Sequence, residues 1–162
     1  MDEDVEKVLV ELGVYDLVAH IHHSGSLRGS RLVLFPKKEA YPELKSKVGE
    51  ISKALNAHVS VVNPALLEDA RVKDAIDFLL YSGLCFNPQR FDFDELEIEL
   101  FDFAEVYGED MMPSSDVAEE IYEGLRNVKD EELAESLGVP VKNIKRAKKL
   151  LRDYLASYGI VY

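Results

Sequence analysis

The stretch from Glu131 to Tyr158 leaves the chain little choice of local structure. Leu133, Ala134 and Leu137 sit at helical spacing, Gly138-Val139-Pro140 interrupts them, and Ile144, Ala147, Leu151, Tyr154 and Tyr158 resume in steps of three and four. A helix of about two turns must end at Gly138, which tolerates the left-handed conformation of a tight turn. A longer helix must begin near Val141. Val117, Ile121 and Leu125 mark a third helix upstream, over residues 116–125. Three amphipathic helices with short connections can bury their apolar stripes only against one another or against another layer.

The run Glu131-Glu-Leu-Ala-Glu-Ser-Leu-Gly-Val-Pro-Val-Lys-Asn-Ile144 resembles the helix-turn-helix superfamily, with a spacing similar to the sigma-factor and response-regulator type. Ala134 is small where two helices would cross, and Leu133, Leu137, Val139 and Ile144 are apolar where a tri-helical core needs them. The resemblance covers about the last third of the chain. It implies a recognition helix over residues 141–158 and a role in DNA binding or transcription regulation.

That helix also holds the concentrated positive charge of the molecule. Lys142, Lys145, Arg146, Lys148, Lys149 and Arg152 fall within eleven residues without an intervening acid. The whole chain has 19 Lys and Arg against 31 Asp and Glu, a net charge of -12, which opposes non-specific binding to nucleic acid or anionic membranes. Any contact with double-stranded DNA must therefore be local. The expected nucleic-acid-binding residues are Lys142, Lys145, Arg146, Lys149 and Arg152 as phosphate ligands, with Asn143 near the helix start as a reader of base edges. The acids Glu119, Glu120, Glu123, Glu131, Glu132 and Glu135 on the two preceding helices would have to face away from phosphate. A protein partner or a homodimer is the competing use of the same surface, with the acidic stretch of residues 92–110 a candidate counterpart.

The first two thirds read as an α+β or α/β domain with a small mixed sheet. Val5, Val8, Leu9 and Leu12 predict a helix stopped by Gly13, and residues 15–21 a strand. Residues 22–30 hold two Gly and three Ser and predict a turn. Strands are expected at residues 31–35 and 58–62, one helix over 42–55 closed by Asn56, and helix over 66–80. Residues 90–107 fit an edge strand and a helix equally well. Pro113-Ser114-Ser115 interrupts the pattern, so a boundary is placed there: a domain over 1–110 and the tri-helical unit over 111–162.

Candidate chemistry in this domain centres on His20-Ile-His22-His23. His20 and His22 would share one face of a strand, where two imidazoles can ligate a metal. Histidine-x-histidine also resembles the opening of several metal-dependent hydrolase families, which need further His and Asp ligands on later strands; only His58 remains here. The turn Ser24-Gly-Ser-Leu-Arg-Gly-Ser30, with the strand and helix order that follows, resembles the small nucleotidyltransferases. That likeness implies catalytic carboxylates on the next strand, yet Arg31-Leu32-Val33 stands in their place, so nucleotide transfer should be lost. Arg28 and Arg31 then remain as anion ligands, and a plain hairpin turn is the simpler reading. Asp92, Asp94, Glu97 and Glu99 fit a charged solvent face better than a nuclease site.

Cys85 is the single cysteine and lies in the apolar run Leu84-Cys85-Phe86, as a small buried residue would. No 18-residue apolar run and no basic leader are present, which predicts a cytoplasmic protein. The absence of Thr and Trp, with one Gln and 31% charged residues, tilts the composition toward a thermophilic source. No catalytic residue and no cofactor are expected. The overall expectation is a DNA-binding or regulatory protein, against a metal- or nucleotide-dependent enzyme and a protein-interaction module.

Overall fold

The computed structural model describes residues 3–26, 29–86, 88 and 115–162. These form two compact units, one of residues 1–67 with 135–138, the other of residues 68–134 with 139–162. The expected α+β character holds.

In the first unit, α1 (Glu3–Glu11) leads to β1 (Val18–Ser26) and β2 (Gly29–Pro36), then α2 (Tyr41–Ser46), α3 (Val48–Leu55) and β3 (His58–Val61). The sheet order is β1-β2-β3, with β1 antiparallel and β3 parallel to β2. The strands of the first pair run further than the Gly and Ser content suggests, with Ser26 paired to Gly29. Residues 22–26 and 29–30, expected as a turn, are thus paired strand. The helix expected over 42–55 is two helices, because Lys47 between them has φ -99° and ψ 0°. Asn56 ends α3 in the left-handed region at φ 50°, as a helix-closing Asn can.

Strand alternation divides the sheet into two faces. Leu32, Leu34, Val59 and Val61 point to one side and pack with Val5 and Leu9 of α1, Leu44 of α2 and Ile51 of α3. Burying these branched side chains contributes about 1.5–3 kcal/mol each. The other face carries His20, His22, Arg31, Val33, Phe35, His58 and Ser60 by strand register. Val33, Phe35 and Ser60 are buried as well, so β2 and β3 have both faces covered.

In the second unit, α4 (Ala70–Ser82) is capped by the Asp69 carboxylate, which accepts from the Arg71 N–H at 2.9 Å, and ends at Gly83 with φ 75°. It packs on α5 (Ser115–Arg126). Their contact explains Gly124: a Cβ there would lie 2.6 Å from the Arg71 carbonyl oxygen. After α5 come α6 (Asp130–Leu137) and α7 (Val141–Ala156), within two residues of the three helices read from the sequence. Leu133, Ala134, Val139 and Ile144 are buried as expected. The buried stripe of α7 departs from the expected one. Leu150 and Leu155 join Ile144, Ala147 and Leu151, while Tyr158 is 59% exposed. Tyr162 packs its ring on Tyr122 of α5 at 4.7 Å, with the Arg126 guanidinium 5.1 Å from its centroid.

Candidate nucleic-acid interface

The basic helix α7 has one buried and one exposed face. Lys142, Lys145, Lys149 and Arg152 are all exposed. At about 100° per residue they fall within one arc of about 80°, opposite Ile144, Ala147 and Leu151. They form a stripe roughly 15 Å long. Lys149 Nζ lies 2.8 Å from Asp153 Oδ2, one turn on. Lys142, Lys145 and Arg152 make no ion pair with any described residue. Arg146 is half-buried beside the stripe.

Lys148 lies away from that face. Its ammonium is 2.6 Å from Asp130 Oδ1 and donates to the Val128 carbonyl at 2.8 Å. It ties α7 to the start of α6, which separates it from the other cations.

Asn143 is a correction to the expected set. It is 6% exposed, and its amide donates to the Cys85 carbonyl at 3.1 Å and to the Phe86 carbonyl at 3.5 Å. A helix places residue i+1 about 100° from residue i. Asn143 therefore turns inward from Lys142 and serves the loop after α4, with no amide left for a base edge. Cys85 is buried as expected, its thiol directed at the Leu79 carbonyl at 3.3 Å.

The turn before α7 is engaged within the first unit. Gly138 has φ 69°, and its carbonyl accepts from Arg31 Nη1 at 2.9 Å. A Cβ on Gly138 would lie 2.8 Å from the His58 ring and 2.9 Å from Ser60 Cβ. Ser136 Oγ accepts from the Asn63 N–H at 3.1 Å, and Lys45 pairs with Glu135 at 2.6 Å. Sequence reading missed these partners because they lie about 70 to 110 positions away. Arg31, expected as an anion ligand, holds this carbonyl instead.

The histidines of β1 do not assemble into a metal centre with other described residues, among which no three His, Cys, Asp or Glu groups converge. His20 is exposed and tilts on Phe35, ring centroids 5.4 Å apart. It also borders a hollow of 160 Å³ with Tyr15, Asp16 and Lys37, small beside the roughly 300 Å³ of ordinary ligand pockets. His22 is half-buried, and burial followed by its neighbours His20 and His23 lowers its pKa. Residues Leu27, Arg28, Asp92, Asp94, Glu97 and Glu99 lie outside the described residues, as does the boundary read at Pro113. No helix among the described residues is long and apolar enough to cross a membrane. Comparison with known proteins finds no matching family, no matching curated protein and no matching solved structure.

Proposed function

We propose that the second unit binds duplex nucleic acid through the outer face of α7, in a regulatory protein of helix-turn-helix type. The observation that carries this reading is the stripe of Lys142, Lys145, Lys149 and Arg152, exposed and in helical register opposite the buried face. Four cations aligned over about 15 Å can each displace counterions from a phosphate, which makes binding favourable and strongly salt-dependent. The turn at Gly138 plays no part in it, since Arg31, His58 and Ser60 already meet that residue.

The test is duplex affinity at two salt concentrations. Four phosphate contacts predict a loss of roughly a hundredfold between about 50 and 200 mM salt. Changing Lys142, Lys145 and Arg152 together to Ala leaves one contact and a loss of only about threefold over the same interval. Affinity indifferent to both salt and the triple change removes the proposal. Binding of the wild type to an acidic protein, with none to duplex, would place α7 in the protein-interaction class instead.

A further inference from the structure

We infer that α7 recognises the phosphate backbone and discriminates poorly among base sequences. This rests on the reading of α7 as a duplex-binding helix and specifies what it reads. The side chains that hydrogen-bond adenine in two places are Asn and Gln, held at the N-terminal end of a recognition helix. The amide in the first turn of α7 is Asn143, and it is buried against the Cys85 and Phe86 carbonyls. The exposed stripe holds no amide and no hydroxyl, only Lys142, Lys145, Lys149 and Arg152. Three of these four are Lys, a flexible point charge that meets phosphate without fixed directionality. The single Arg of the stripe lies at its far end, about three turns from the helix start, where a planar fork on guanine would be out of reach of the leading turn. Such a face supplies affinity through counterion release and carries little sequence information.

The experiment measures the full chain against short duplexes of equal length and unrelated sequence, including one rich in A·T and one rich in G·C, over a salt series. The expected result is affinities within about threefold of one another, with a slope of log affinity on log salt near -3.6 that falls in size by about 0.9 in Lys145→Ala. A preference of about tenfold or more for one duplex at equal salt, the size of a lost base contact, overturns the inference while leaving α7 a duplex-binding helix. Absence of binding to every duplex overturns the inference together with the reading beneath it. The two failures are told apart by whether any duplex binds. Arg152→Lys separates the remaining case: it leaves the ratio between duplexes unchanged if Arg152 meets phosphate, and removes a preference if it reads guanine.

Discussion

Single residues in this chain are set by what stands next to them, and two glycines show it. Gly138 and Gly49 are both in or beside helices, yet a side chain would meet different surroundings. At Gly138 the backbone is left-handed at φ 69° and an added Cβ falls 2.8 Å from His58 and 2.9 Å from Ser60. At Gly49, in α3, an added Cβ meets nothing within 4 Å. Gly138→Ala is therefore expected to cost at least about 1–2 kcal/mol, from the left-handed backbone alone. Gly49→Ala is expected to stabilise by up to about 1 kcal/mol, since Ala has the higher helix propensity. Equilibrium denaturation in urea distinguishes them; equal effects would contradict this account of the turn. Asn143 teaches the same lesson, since a polar residue beside Lys142 reads as a surface ligand until its neighbours are known.

At the level of elements, the histidines on one face of the sheet are expected to give the first unit a pH response. His22 on β1 has its pKa lowered by burial and then by His20 and His23, and His58 on β3 has its pKa lowered by burial and then by Arg31. Unfolded histidine titrates near about pH 6.5. Between the lowered folded values and that point, the unfolded chain binds more protons, so stability rises with pH through this window. It is lost as the medium is acidified below about pH 6.5. The melting temperature should fall between about pH 7 and pH 5, and the fall should be shallower in a variant with His22→Asn and His58→Asn. An unchanged fall in that variant would shift the cause to the carboxylates.

The whole molecule carries -12, and this excess acts on both folding and binding. Like charges repel across the folded chain, and salt shortens their reach from about 30 Å at 0.01 M to about 8 Å at 0.15 M. Raising the salt from the lower to the higher value should increase the melting temperature while it weakens duplex affinity. The two responses have opposite sign because one screens repulsion within the acidic chain and the other screens attraction to its basic stripe. A melting temperature that falls with salt would show that ion pairs such as Lys148–Asp130 outweigh the net repulsion.

Local sequence accounts for the helices after Ser115, the left-handed turn at Gly138 and the apolar strands β2 and β3, whereas the β1–β2 pairing runs through residues whose Gly and Ser content reads as a turn. The helices, turn and apolar strands depend on periodicity, capping and turn chemistry, which act between near neighbours. It also placed six cations on one helix. Contacts in space set which polar groups of this region are already taken. Lys148 is drawn to Asp130, Asn143 to the carbonyls of Cys85 and Phe86, and the Gly138 carbonyl to Arg31. Each partner lies far along the chain from the residue it claims, apart from the nearby Asp130. A pattern of three and four says which face of a helix is apolar, but the partner of a polar group is chosen by distance in space.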